Sequence, residues 1–299
     1  MQKDKIKEDN IDLSSPFRGT GGKKVSIQGF EGSFHQVAAQ QFYGKDTEVI
    51  CCATFKEVVK LAADKKQSDG GIMAIENSIA GSILPSYKLW LKSNLKIVGE
   101  VYLQIKQNLL VNPGVSLDDI REVHSHPMAI QQCFGFLDKY NWKLVETEDT
   151  ALSAKHVHQH KSKHIAAIAS KLAADLYNLE IIAPNIHTLK SNYTRFLVLQ
   201  RQDIVNEIAG ADKASINFFT DHSKGSLAKV LTKIADEGIN LSKLQSMPIP
   251  GSDFKYSFHA DMEFDTVEQF KKVIKKIEAL TDGLSVLGIY KNGKLNTTN

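Results

Sequence analysis

Asn192, Thr194 and Arg195 crowd the entrance of FLVLQ, Phe196 to Gln200, a run apolar enough to form a buried strand. Polar side chains at the mouth of a core strand can hold a ligand or tie a hinge, and the two roles are compatible. Similar groups occur earlier in the chain. Glu76, Asn77 and Ser78 follow the apolar run GIMAI directly, with Gly81 allowing a turn, so three hydrogen-bonding side chains gather at one strand end. They could equally satisfy turn amides. Ser125 and His126 close another strand-like segment, ahead of Pro127, which suits the first position of a helix. In IQGFEGSFHQVAA a strand ends at Gly29 and Ser33 can cap the next helix, whose free amides and dipole favour an anion, although an ordinary capped turn reads the same. His156, His158 and His160 could suggest a metal. On a helix, however, the i,i+2 spacing points neighbours apart, and no acidic or cysteine ligand accompanies them, so no metal site is expected.

The elements that must position these residues alternate between strand-like and helix-like segments from Val25 onward. VSIQ precedes SFHQVAAQQFYG, TEVICCA precedes TFKEVVKLAADKK, and GIMAI precedes a turn and LPSYKLWLKS. REVHS, WKLVETE and HIAAIA, each followed by a helical pattern, form a second set. This alternation predicts two α/β lobes with parallel strands and crossover helices, and ligands in such sheets bind outside the carboxyl ends of the strands. After Lys213 the order changes to strand, helix, strand, strand, helix, strand, the ferredoxin-like βαββαβ arrangement. Residues 1–24 are polar and then Gly-rich, which suggests a flexible tail.

Composition narrows the partners. The chain has 299 residues, 42% of them hydrophobic, enough for about two domains. Its 37 basic and 34 acidic residues are spread along the chain without the concentrated basic face that nucleic acid favours. No apolar run approaches the ~18 residues that cross a bilayer, and the N-terminus lacks the apolar middle of a signal peptide, so no membrane partner and a cytoplasmic location are expected. Three cysteines, two of them adjacent, do not suggest a disulfide framework. A small molecule is the expected partner.

GFEGSFHQVAA, GIMAIENSIAGS, VHSHPMAIQQC, AAIASKLAADLYNL, NYTRF, and the pair KGSLAKVL and LQSMPIPG, in this order, resemble prephenate dehydratase with a C-terminal ACT regulatory domain. The resemblance runs from about Val25 to Asn292. It implies a two-lobed catalytic domain like the type II periplasmic binding proteins over 25–203, with a second lobe at about 105–184, and an ACT domain over 213–293. The implied reaction converts prephenate to phenylpyruvate with loss of carbon dioxide and water, in the cytoplasm, with no cofactor and no metal. Thr194 is implied as donor to the leaving hydroxyl, with Asn77 and Gln132 also catalytic. Ser33, Glu76, Ser78, Ser125 and Arg195 are implied substrate contacts. Gly225, Leu227, Gln245 and Ser246 are implied effector contacts, with L-phenylalanine as effector and a homodimer or homotetramer as the assembly.

The chain departs from the family pattern at several positions. Met128 stands where Gln is common, Thr188 where Asp is, and Asn178 where Gly is; Asn also tolerates the left-handed conformation at a helix end. Gln245-Ser246-Met247-Pro248 replaces Glu-Ser-Arg-Pro, which predicts an altered regulatory response. The rival readings are an arogenate dehydratase and a non-catalytic amino-acid or solute sensor on the same fold.

Overall fold

The computed structural model describes residues 22–204, 208–221, 223–249, 251–252 and 255–293. The expected tail falls outside these over residues 1–21, and Lys24 already belongs to the first strand. The first lobe contains β1 (Lys24–Gln28), α1 (Phe34–Tyr43), β2 (Glu48–Cys52), α2 (Phe55–Ala62), β3 (Gly70–Asn77), β4 (Gly81–Ser82), α3 (Leu84–Trp90) and β5 (Leu95–Gln104). The second contains β6 (Asn108–Val111), β7 (Glu122–Ser125), α4 (Pro127–Gln132), α5 (Phe134–Leu137), β8 (Lys143–Glu146), α6 (Thr150–His160), β9 (Ile165–Ala169), α7 (Lys171–Leu176) and β10 (Glu180–Ala183). The chain then returns to the first lobe as β11 (Tyr193–Arg201).

The first sheet has the order β2-β1-β3-β11-β5, with β4 paired to β3, and the second has β10-β6-β9-β7-β8. Strands β1, β2 and β3 are parallel, as are β7, β8 and β9, in line with the alternation in the sequence. The returning β11 runs antiparallel to both β3 and β5, and β6 runs antiparallel to β9 and β10. Both sheets are therefore mixed, because a chain that crosses to a second lobe and comes back enters its sheet from the opposite end.

Alternation along β11 builds two cores. Phe196 and Val198 point to one face and pack with Val25, Ile27, Ala38, Ile72 and Ala74 beneath α1. Leu197 and Leu199 point to the other and pack with Met73, Ile75, Tyr87, Trp90 and Ile97. The pairing of β3 with β11 shifts register between Arg195 and Phe196: Thr194 faces Asn77 and Arg195 faces Glu76, but Phe196 faces Ala74. Ile75 is the extra residue of this β-bulge, so two successive residues, Ile75 and Glu76, lie on the side of Leu197. Asn77 is thereby delivered to the side of Thr194.

The C-terminal unit follows the expected order: β12 (Lys213–Phe219), α8 (Ser226–Asp236), β13 (Asn240–Pro248), β14 (Tyr256–Glu263), α9 (Val267–Glu278) and β15 (Gly283–Tyr290). Its sheet order is β13-β14-β12-β15. Ala214, Ile216, Phe218, Ala260 and Met262 point toward the buried faces of α8 and α9, which supply Val230, Ile234, Phe270, Val273 and Ile277. The alternating residues Lys213, Ser215, His259 and Asp261 are buried on the opposite face, against the first lobe. Contact there is close: a Cβ at Gly288 would lie 2.1 Å from the carbonyl oxygen of Ile97. Among the described residues no helix is long and apolar enough to cross a membrane.

Candidate active site

Two segments cross between the lobes, 105–107 going out and 184–192 coming back. Ile105 N donates to Asn192 O at 2.7 Å and Ile186 N to Gln107 O at 2.8 Å, so the segments brace each other. Thr188, in the returning segment, accepts from Gly135 N at 3.2 Å and donates its own N–H to Gln132 O at 2.8 Å, fixing α4 and α5 to the hinge. The turn after β1 meets the second lobe directly. Ser170, the N-cap of α7, donates to Gly32 O at 2.6 Å, and Tyr177 Oη donates to Glu31 O at 2.8 Å. A Cβ at Gly32, whose φ is 90°, would sit 2.9 Å from Ala173 Cα, so only glycine permits this approach.

At the crossing, four side chains form one hydrogen-bonded chain. Asn77 Oδ1 accepts from Ile79 N at 3.0 Å and Ala80 N at 2.9 Å, a turn that turns its Nδ2 toward β11. That Nδ2 donates to Thr194 Oγ1 at 3.0 Å, Asn192 Oδ1 at 2.8 Å and Tyr193 O at 3.2 Å. Asn192 Nδ2 then donates to Gln132 Oε1 at 2.9 Å, carrying the chain into the second lobe. Donation runs outward from Asn77 to both ends, to Thr194 on one side and through Asn192 to Gln132 on the other. The Thr194 hydroxyl, used here as an acceptor, keeps its O–H, and Gln132 keeps its Nε2 hydrogens; neither donor meets a protein acceptor among the described residues. Both ends of the chain thus present donors, an arrangement suited to an anionic ligand.

Thr194, Asn77 and Gln132, distant in sequence, are brought together by this chain. Asn192, which the strand entrance suggested as a ligand contact or a hinge tie, is fully buried and joins them. A position two residues before Thr194 on an extended segment could have indicated as much. His35 lies within the GFEGSFHQVAA segment but was given no role there. Its ring packs edge-on against Phe196 at 5.0 Å between centroids, on the Thr194 side of β11, and its Nε2 accepts from Ala74 N at 3.3 Å beside the bulge.

Several other expected contacts lie elsewhere. Arg195 is buried on the opposite face of β11 from Thr194, where its guanidinium binds Glu100, Asp261 and Tyr290, so it cannot also bind a ligand beside Thr194. Glu76 is carried to that face by the bulge, and its Oε1 lies 2.7 Å from Lys243 Nζ of β13. Both assignments as substrate contacts are therefore corrected to junction residues. Ser78 accepts from Tyr193 N at 2.9 Å and donates to Ser191 O at 3.2 Å, stapling the end of β3 to the returning segment. Ser125 is buried and donates to Ile168 O at 2.7 Å within the second sheet. Ser33 is the buried N-cap of α1, where its Oγ accepts from Gln36 N. Among the described residues no three His, Cys, Asp or Glu side chains gather as metal ligands. Asn178 takes φ 49°, the left-handed conformation expected of it.

Burial pulls the His35 imidazole down to about 4. A histidine whose folded pKa lies below its unfolded value of ~6.5 stabilises the native state above that value and loses the contribution as pH falls toward the folded pKa. We expect denaturant-measured stability to fall by ~1–3 kcal/mol between pH 7 and pH 4.5 from this side chain. His35→Gln should show a shallower decline, and parallel pH profiles for the two proteins would contradict it.

Comparison with known proteins adds a lineage to this geometry. A family profile described as prephenate dehydratase matches residues 25–204. A chloroplastic protein of Arabidopsis thaliana, arogenate dehydratase/prephenate dehydratase 2, is 34% identical, the match spanning 97% of this chain and 81% of the relative. Among solved structures, the prephenate dehydratase from Arthrobacter aurescens in complex with L-Phe has a TM-score of 0.81 at 25% identity, covering 90% of each chain. GqqA, described as a novel type of quorum quenching acylase, has a TM-score of 0.83 at 28% identity, covering 91% of this chain and 99% of that one.

Proposed function

Because this chain belongs to the prephenate dehydratase family, we propose that it converts prephenate to phenylpyruvate at the junction of its two lobes, with Thr194, Asn77, Asn192 and Gln132 as the working side chains. The donor-ended chain from Thr194 to Gln132 carries the reading. Prephenate bears two carboxylates and a ring hydroxyl. The bond to the ring carboxylate breaks, its electron pair enters the ring, carbon dioxide departs, and hydroxide leaves with a proton as water. The Thr194 O–H stabilises the departing oxygen by a hydrogen bond that strengthens as negative charge develops, while Asn77 holds the hydroxyl in place. The free amide hydrogens of Gln132 supply a second donor for an anionic group. The decisive assay is appearance of phenylpyruvate from prephenate with purified protein. Comparison of kcat/KM for arogenate, which differs in an amino rather than keto head group, separates the two dehydratase readings. Among the described residues no carboxylate or imidazole hydrogen-bonds the Thr194 hydroxyl, so acyl transfer by an activated nucleophile is the weaker reading.

The C-terminal unit is proposed to be an ACT domain that responds to phenylalanine. Its βαββαβ order supports this, as does the L-Phe in the Arthrobacter relative. Gly225, with φ 81° and open space at its Cβ position, begins α8 beside Leu227 and offers a turn into which an amino acid can fit. Gln245 folds its amide onto Ser246 O at 2.8 Å. Met247, in contrast, is 3% exposed and packs with Tyr87 and Trp90 of the first lobe. An arginine there would bury a charge in an apolar cluster, so Gln245 is the position at which a charge can be restored without unfolding the junction. Phenylalanine should bind by calorimetry and change the dehydratase rate by less than about fivefold, the low end of usual allosteric coupling. Inhibition of a hundredfold or more would show that the Gln245 and Met247 replacements leave regulation intact.

A further inference from the structure

Strand β11 carries Thr194 on one face and Arg195 on the other, and the second residue is anchored outside its own lobe. Arg195 Nε donates to Glu100 Oε2 at 2.6 Å, Nη1 to Asp261 Oδ2, and Nη2 to Tyr290 Oη at 3.2 Å. Glu100 belongs to β5, but Asp261 and Tyr290 belong to β14 and β15 of the C-terminal sheet. Asp261 also accepts from Ser215 Oγ at 2.5 Å and lies 3.1 Å from His259 Nε2, while Lys213 Nζ donates to Glu100 Oε1 at 2.9 Å. The side chains of Arg195, Glu100, Asp261 and Lys213 are at most 4% exposed, with Glu263 at the rim 3.9 Å from Lys213. A planar guanidinium held at three nitrogens fixes its own orientation, and through its stem the backbone that bears it.

A second observation concerns the strand itself. The bulge at Ile75 interrupts the β3–β11 ladder between Arg195 and Phe196, beside the peptide that joins Thr194 to Arg195. The ladder on that side is weakest where the hydroxyl must be placed most accurately. We propose that Asp261 and Arg195 are positioning residues for Thr194, through which the C-terminal sheet holds the hydroxyl against Asn77. The catalytic consequence rests on the dehydratase reading above; the mechanical link does not.

The test uses the full chain, with Asp261→Asn and with the double variant Arg195→Gln/Asp261→Asn, which removes both partners and leaves the Lys213–Glu100 pair. Three quantities are read: kcat, KM for prephenate, and hydrogen–deuterium exchange of peptides spanning 191–200. Since a misplacement of about 1 Å can cost on the order of 10²-fold, both variants should lose at least about tenfold in kcat with KM within about twofold. Exchange should rise at 191–196 in both. A folded double variant with wild-type kcat and unchanged exchange overturns the proposal, as does a parallel change in kcat and KM. If neither variant folds, the pair is a structural brace and the proposal is likewise overturned. If wild-type protein makes no phenylpyruvate, the functional reading fails separately. Faster exchange at 191–196 in the double variant would still support the link, and unchanged exchange would refute it.

Discussion

Thr194→Ala is expected to lower kcat by ~10²- to 10⁴-fold while KM changes by less than about threefold. The size follows from what the hydroxyl has left to give. Its oxygen is held by Asn77 Nδ2 at 3.0 Å, so the O–H stays free for a leaving group and its donation can strengthen as charge builds there. The asymmetry follows because the side chain is small, 8% exposed and one donor among several, so ground-state binding loses little. The fold should survive: Asn77 Nδ2 retains Asn192 Oδ1 and Tyr193 O as acceptors. Thr194→Ser, which keeps the donor, should recover most of the rate, whereas Thr194→Val, which keeps the shape, should not. A near-normal kcat in the alanine or valine protein would remove Thr194 from the mechanism.

Asn192→Ala should be the next most damaging change, with kcat/KM lower by ~10²-fold and stability lower by ~1–3 kcal/mol. Asn192 is fully buried and the only member of the chain that touches both lobes through its side chain, accepting from Asn77 and donating to Gln132. Its loss opens a small cavity and releases Gln132, whose free donors then lose their orientation. Asn192→Asp separates the two functions. A carboxylate still accepts from Asn77 but repels Gln132 Oε1 and any anion nearby, so its KM should rise more than that of the alanine protein. Steady-state kinetics and urea titration of the two variants check this, and an alanine variant with unchanged kcat/KM would show that the interlobe bridge is not used.

The sequence was informative where chemistry is local. Ser33 caps the helix that follows it, as its position suggested, and the order of strand-like and helix-like segments matched most elements of the two lobes and those of the C-terminal unit. Thr194, Asn77 and Gln132 could be named only through family resemblance, because nothing in periodicity brings together residues 117 and 60 positions apart in the pairs Asn77–Thr194 and Gln132–Asn192. Strand β5 passed unread. Its segment LKIVGEVYLQ is buried over consecutive residues, since it lies beside β11 with cores on both faces, and so lacks clean alternation. The faces of Glu76 and Arg195 were misread for a different reason. A polar cluster at a strand end gives no sign of which side each residue takes, and the partners that decide it, Lys243 and Asp261, lie in another folding unit.

The bulge at Ile75 makes the site depend on the length of β3 as well as on its letters. Strict alternation would set Ile72, Ala74 and Glu76 on one side and Asn77 on the other; the additional residue reverses that parity for everything after it. Pairing without the bulge, with every residue kept, would present a carboxylate to the Thr194 hydroxyl and turn the amide away, with no residue type changed. In evolutionary terms, the bulge gives the strand one residue of slack: it can lose Ile75 and keep Asn77 beside Thr194, whereas a pairing that irons out the bulge without losing a residue exchanges the two sides at a stroke.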